Sequence, residues 1–547
     1  MGSFGTGRAV IDAGDGDGIV LYNTAGMEIR DLVITGDWDA DAQGGNTGNG
    51  VLVYLDLDGV TRLDHVYLDN LEVRGFQNAG VVIGAWPGDG SMSGFTDVRI
   101  TGVQSHNNGD AGISAYGYWD PSSADYAHRD MVVRGCKTYS NRGIINKGSH
   151  SGNGIVLSGV DGALIEYCES YDNGDLCDHN GGGPIGIWAW DAVRVTIQFN
   201  ESHHNRTGAG SLDGGGYDLD GGVTESLVQY NYSHDNDGAG YLMWQFNGAR
   251  PLLGYNTFRY NISENDGRAH GYGGIYVGGG NAVENNHFYN NTLYVSPSGN
   301  SGTAAITVRG VGDGNTFRNN ILVTEGGVPL VNSDTDHPAA RAVFQGNAYY
   351  AGTVPADFEI RWGGIPYADL ASWRATGQET NGVDDTGLQE DPGLTAPGAG
   401  GTIGDPYNLG SLSAYTLLSS SSLIHAGLDL QALFAIDAGR WDFFGTVLPQ
   451  GAAYDVGAHE WADCTPPGAV GNTLKAVRSG GDISFYWDDL PDATGYTLYQ
   501  ATVPGGPFVV PAGIGNSGPL GITLPMPGDA VLFYRICGTN DCGEGPI

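Results

Sequence analysis

The 547-residue chain is longer than an ordinary globular domain and carries 62 acidic residues against 24 Lys and Arg, a formal charge of -38. It is therefore read as several domains or one extended body. Nucleic-acid binding is excluded, because affinity for a phosphate backbone comes from clustered cations and no basic cluster is present; the charge also disfavours an acidic polysaccharide and mildly favours a neutral one.

From about Asp12 to about Gly326 the chain repeats. Apolar strands beginning near Ile19, Val51, Val81, Ile113, Ile155, Ile187, Leu219, Leu242, Ile275 and Ile306 mark successive coils. Each coil has a second strand ending in a fixed column, with pairs Ile100/Val103, Val133/Cys136, Ile165/Cys168, Ile197/Asn200, Val228/Asn231, Phe258/Asn261, Phe288/Asn291 and Phe317/Asn320, a step of about 30 residues. Such a unit cannot bury its own apolar side chains, so the coils must stack with strands pairing in parallel from one to the next. The 93 glycines and the many Asn and Asp supply the corners.

Asn200, Asn231, Asn261, Asn291 and Asn320 form one column, and Asn108, Asn141, Asn173, Asn205 and Asn236 another. Stacked amides at corners can hydrogen-bond along the solenoid axis and satisfy turn backbone, so these Asn are assigned no chemistry. His203, His234 and Glu264 share a column with His106, Tyr139 and Tyr171, which is read as a solvated side-chain ladder rather than a metal site. Cys136 and Cys168 fall one coil apart and are expected as buried thiols. Cys537 and Cys542 close a short loop and are the better disulfide candidates, with Cys464 left over.

The repeats, with the later stretches ASWRATGQETNGVDDTGLQEDPGL, SSSLIHAG and DAGRWDFFGTVLPQGAAYDVGAHEW, resemble the right-handed parallel β-helix family of secreted carbohydrate-active proteins, which includes polysaccharide lyases, glycoside hydrolases and uronan epimerases. The resemblance covers residues 5–462, with a closing segment at about 356–462, and handedness comes from it alone. It implies an all-β solenoid of about ten to twelve coils. After Cys464 the composition changes to period-two alternation. The Pro-Pro start, Trp487, Tyr496 and Tyr534 make 463–547 similar to a fibronectin type III module, a small β-sandwich of accessory character.

No apolar run spans a bilayer and no signal peptide is visible. MetGlySer resembles a cloning remnant, and the immediate entry into the repeat implies a trimmed export signal and N-terminal cap, so secretion is inferred. The expected state is a monomer.

Outward positions of each coil's first strand can line a groove. They read Ser114 and Tyr116, Val156 and Ser158, Trp188 and Trp190, Asp218 and Asp220, Met243 and Gln245, Tyr276, then Thr307 and Arg309. Trp188, Trp190, Tyr116 and Tyr276 suit stacking on the C–H faces of sugars, although large aromatics can equally be a satellite core beneath loops. Asp218 and Asp220 stand about 7 Å apart at their α-carbons, a spacing open to an acid and a water-activating base. The same DxD fits a turn or a calcium site, since calcium takes hard oxygen ligands. Overhanging loops add Lys147, His150, Asp178, His179, Asp213, Arg268, His270 and Tyr272. Asp213 is the third carboxylate, and each of the others is also explained as ordinary surface polarity.

The leading expectation is a glycoside hydrolase of a polysaccharide or oligosaccharide, with Asp218 and Asp220 as acid and base and Asp213 assisting. It needs no cofactor, and structural or catalytic calcium is left open. The alternatives are a calcium-assisted polysaccharide lyase or epimerase, in which a loop His, Lys or Arg serves as base or carboxylate neutraliser, and a non-catalytic glycan-binding adhesin.

Overall fold

The computed structural model describes residues 1–300, 302–462, 467–479, 482–490, 493–501, 510–516, 521–525, 532–540 and 543–545. They divide into two compact units, Met1–Leu428 with Val456–His459, and Asp429–Asp455 with Glu460–Ile547. Residues 429–455, read from sequence as part of the closing segment of the solenoid, thus group with the C-terminal unit.

The first unit is a parallel β-helix of about 11 turns. Ile19, Val51, Val81, Ile113, Ile155 and Ile187 pair one coil to the next in that order. Their side chains enter one continuous apolar core with Phe258, Phe288, Phe317 and Phe344, whose rings stack at 5.0, 4.9 and 4.5 Å.

After Ile187 the row differs from the sequence reading. It continues through Tyr217 and Tyr241 to Ile275 and Ile306, not through Leu219 and Leu242. The two tyrosines stack at 5.2 Å inside the coil. Their hydroxyls are satisfied there, Tyr217 donating to Tyr232 O at 3.1 Å and Tyr241 to Asn231 O at 2.7 Å. A buried phenol with a carbonyl partner costs little. Leu219 remains inward two positions on, so Asp218 and Asp220 keep their outward face, whereas Met243 turns into the core and Leu242 and Trp244 turn out.

The asparagine columns behave as corner ties. Asn200 Nδ2 donates to Asn231 Oδ1 at 3.0 Å, and the chain of amides runs on through Asn261, Asn291 and Asn320 to Asn347. The second column runs from Asn108 to Asn236. Each ends on an acid: Asn236 donates to Asp266 at 2.8 Å and Asn347 to Glu379 at 2.7 Å. The last amide of a ladder still needs an acceptor, and a buried carboxylate supplies it; burial raises the pKa of Asp266 to about 6 and that of Glu379 in the same direction.

The His106–His234 ladder is stacked as expected, with rings 4.5 to 5.0 Å apart, but it is not solvated at its C-terminal end. His203 and His234 are 5% and 0% exposed. The segment around Gly398–Tyr415 crosses this face, its backbone N–H groups at Gly400, Ile403 and Gly404 donating to Glu264 and Glu201 at 2.7 to 2.8 Å. Cys136 and Cys168 are buried, with Cys136 N 3.5 Å from Cys168 Sγ.

The second unit has two antiparallel sheets. One joins Lys475–Ser479, Asp482–Tyr486 and Gly521–Pro525, and the other Val510–Asn516, Gly495–Ala501, Phe533–Asn540 and Gly543–Glu544. Phe485, Trp487, Tyr496, Leu498 and Ile536 form its core. Cys464 and Cys542, and with them the expected bridge to Cys537, fall outside the described residues. Among the described residues no helix is long and apolar enough to cross a membrane.

Candidate active site

The strands Ile185–Gln198, Gly215–Asp220, Tyr241–Trp244 and Gly273–Gly278 lie side by side, and the loops that precede them rise over their outward faces. Between strand floor and loops is a cavity of about 580 Å³, within the range of small-molecule ligand sites. Trp188, Asp218, Leu242 and Tyr276 are register neighbours across its floor.

Aromatic rings make its walls. Trp190 and Phe246 are 6.2 Å apart, and Trp119 meets Trp190 edge-on at 6.0 Å and lies tilted to Phe246 at 6.3 Å. Trp188 is fixed from behind, its Nε1–H donating to Asn153 Oδ1 at 3.1 Å and its ring meeting His150 at 5.0 Å. Tyr272 and Tyr276 pack at 4.7 Å, with Trp244 at 6.1 Å from Tyr276.

Three carboxyls enter this apolar setting. Asp213, in the left-handed region at φ 65, accepts from Gly183 N at 2.8 Å and from the Tyr272 hydroxyl at 2.9 Å. Asp220 accepts from Gly221 N at 2.7 Å. Asp218 is 3% exposed, and its Oδ1 is buried without a hydrogen-bond partner. Burial, then the charges of Asp220 and Asp213, hold the Asp218 carboxyl well above the usual range. Burial, opposed by the Gly221 N–H and assisted by Asp213, raises Asp220 to about 7. Burial also raises Asp213, against the pull of the Gly183 and Tyr272 hydrogen bonds. Three such groups cannot all ionise in one dry cavity.

Of the residues singled out in the sequence, the cavity brings together Asp213, Asp218, Asp220, Trp188, Trp190, Tyr272, Tyr276, His150 and His179. Burial lowers His150 to about 4, so its ring is neutral. The rest do not line it. Lys147 Nζ binds Asp110 at 2.6 Å and the His150 carbonyl at 3.1 Å, and Asp178 accepts from Asn146 N at 2.8 Å. Arg268 donates to Ser296 O at 2.7 Å. Arg309 pairs with Asp334 at 3.3 Å and its guanidinium stands 5.9 Å over the Tyr276 ring, and His270 sits edge-on to Tyr272 at 6.2 Å, so these two stand behind the cavity wall. Tyr116 packs against Val82 and Val156 in the same side-chain cluster as Trp188, Leu242 and Tyr276, without lining the cavity. Gln245 accepts from Gly222 N at 2.9 Å and donates to Arg250 O at 2.6 Å, a loop tie outside the cavity.

The sequence reading did not single out Trp119, Leu212, Leu242, Trp244 or Phe246, all of which line the cavity. Trp244 was hidden by the one-residue register difference on its strand. The tryptophan-bearing loop at Tyr118–Trp119 was a signal for the first of them.

No protein-family model matches the chain. In an alignment of 283 positions that covers 48% of this chain, it is 27% identical to a lacto-N-biosidase of Bifidobacterium longum subsp. longum. The chain is a relative of a carbohydrate-active protein. It spans only 14% of that relative's length. Among solved structures it resembles a GH136 lacto-N-biosidase from Eubacterium ramulus, at 20% identity over 61% of this chain and 51% of the other, with a TM-score of 0.40. Pectate lyase Pel9A is 15% identical over 81% and 88% of the two chains, with a TM-score of 0.35. No residue role is carried over from likenesses this distant.

Proposed function

We propose that the cavity is the active site of a glycoside hydrolase acting on an uncharged oligosaccharide. The observation that carries this reading is the convergence of Asp213, Asp218 and Asp220 in an aromatic-walled cavity whose described lining includes no Lys or Arg. Rings hold a sugar through its C–H faces. Carboxyls driven to different pKa values divide into proton donor and base.

The sequence pairs Asp218 with Asp220; exposure supports Asp213 in that pair, because Asp213 and Asp220 are half-buried while Asp218 is almost covered. Asp220, raised to about 7, gives its proton to the glycosidic oxygen as the bond to the anomeric carbon breaks. Asp213, whose anion is favoured by two hydrogen bonds, takes the proton of the water that attacks that carbon. Asp218 stays neutral beneath them and offers its O–H to a sugar hydroxyl. The name of the Bifidobacterium relative supports lacto-N-biosides as the first substrates to try.

A lyase needs a base, and a cation or metal to neutralise a uronate; of the loop candidates, Lys147 and Arg268 have other partners, while His179 lines the cavity and His270 stands against Tyr272. Calcium is assigned no step. Export of the protein and a fibronectin type III-like accessory role for the C-terminal sheets accompany this reading as proposals.

The test is to incubate the protein with lacto-N-biosides and a polysaccharide panel, reading new reducing ends and unsaturated-uronate absorbance. Reducing ends without absorbance support hydrolysis; absorbance points to a lyase, and binding without either to an adhesin. Asp213→Asn and Asp220→Asn should each lower kcat by about 10²–10⁴. Full turnover in either variant sinks the assignment.

A further inference from the structure

Two consecutive coils carry Glu-Ser-His-His at 201–204 and Tyr-Ser-His-Asp at 232–235. Parallel pairing sets His203 beside His234, their rings stacked at 4.7 Å. Each is followed by a corner residue in the left-handed region, His204 and Asp235, both at φ 55. That corner brings the next side chain back against the ladder. His203 Nδ1 lies 2.9 Å from His204 Nδ1, and His234 Nδ1 lies 3.0 Å from Asp235 Oδ2. One ligand atom from each of His204, His234 and Asp235 falls within 4.8 Å of the other two.

The far edges of the stacked rings decide how to read this cluster. His203 Nε2 is 3.4 Å from Glu169 Oε1, and His234 Nε2 is 3.3 Å from Glu201 Oε1. Glu201 is fully buried and accepts from the Ile403 and Gly404 N–H groups, each at 2.7 Å. A carboxylate at Nε2 calls for a proton on that nitrogen. The Nδ1 lone pair of His234 then faces the Asp235 carboxylate, acceptor against acceptor, and the contact requires a cation. In the same way Nδ1 of His203 is left to face His204. Imidazoles whose far nitrogen is held by a carboxylate are a common arrangement for orienting metal ligands. Two imidazole nitrogens and one carboxylate oxygen, with water in the fourth position, suit a tetrahedral zinc-type ion. Access exists, because His204 and Asp235 are half-buried while Glu201 and His234 are closed off.

We propose that His204, His234 and Asp235 form a divalent transition-metal site of zinc type that clamps two adjacent coils of the β-helix. None of the three lines the carboxylate cavity, so the site stands or falls independently of the hydrolase reading. The ion's role is structural: it ties corner to corner where the amide column ties strand to strand.

The competing occupant of the His234–Asp235 contact is a proton. To separate the two, tag-free full-length protein is stripped with chelator, then titrated with Zn²⁺ against a chromogenic chelator, and in parallel with Co²⁺ while visible absorbance is followed. The expected result is one equivalent of Zn²⁺, an intense Co²⁺ band of tetrahedral type, and a thermal midpoint raised by Zn²⁺. His204→Ala and Asp235→Asn, chosen at half-buried corners and checked for an unchanged metal-free melting curve, should each weaken binding by at least about 10-fold. Absence of stoichiometric uptake overturns the proposal in favour of the proton. So does uptake that both variants leave undiminished, which would place the ion elsewhere.

Discussion

Tyr272→Phe isolates one hydrogen bond in the proposed active site. The Tyr272 hydroxyl donates to Asp213 Oδ1 at 2.9 Å and is one of two contacts that hold the Asp213 pKa down against burial. A hydrogen bond to a charged group contributes about 1.5–3 kcal/mol, and one pKa unit corresponds to about 1.36 kcal/mol. Because the cavity admits a water in place of the lost hydroxyl, the lower end applies, and Asp213 should rise by about 1 unit. The ring and its packing on Tyr276 are kept. In a pH profile of kcat/KM on a lacto-N-bioside, the acidic limb, set by ionisation of the base, should move up by about 1 unit. The alkaline limb, set by loss of the Asp220 proton near 7, should hardly move, so the bell narrows and its maximum falls. An unmoved acidic limb would refute Asp213 as base. Movement of the alkaline limb alone would exchange the two roles.

Three other outcomes follow from the geometry. Asp218→Asn should raise the thermal midpoint at pH 8: a carboxyl raised by burial is ionised in the unfolded chain but not in the folded one, so it costs stability increasingly as pH climbs above the unfolded value of about 4. The gain should shrink toward pH 4, and a gain that is independent of pH in calorimetry would show the wrong cause. Asn231→Ala should lower unfolding free energy by about 3 kcal/mol or more in denaturant titrations, since the Asn200 N–H and Ile197 carbonyl lose their buried partner; a cost below about 1 kcal/mol would mean that the columns are decoration rather than ties. Removing divalent ions with chelator at moderate temperature should leave glycoside hydrolysis unchanged, and prompt loss of turnover with the fold intact by circular dichroism would return the site to calcium-dependent chemistry.

The solenoid was legible because its determinants are local and repeated. A hydrophobic residue and an Asn three positions later mean the same thing in every coil, and their partners are the equivalent residues one coil away, as in Asn231 to Asn261. The loops obey no such rule. Lys147 finds Asp110, and Arg268 finds Ser296 and Pro297, on neighbouring coils at positions that no period predicts. Sequence polarity therefore pointed these cations at a groove that the structure leaves to aromatic rings and carboxyls.

The register difference at Tyr217 and Tyr241 shows where a hydrophobic pattern loses resolution. Weighing Leu above Tyr puts Leu219 and Leu242 in the inward row. A coil interior accepts a phenol, however, when its hydroxyl reaches a corner carbonyl, as both tyrosines do. On the Asp218 strand the slip was by two, which preserves the face. On the Leu242 strand it was by one, which exchanges the faces and hid Trp244 in the reading while offering Gln245 in its place. Because each coil is fixed by its own inward residues, the error stopped there, and Ile275 and Ile306 returned to the common row. A solenoid thus confines a misreading to one rung, and here that rung borders the cavity, to which Trp244 adds an aromatic wall.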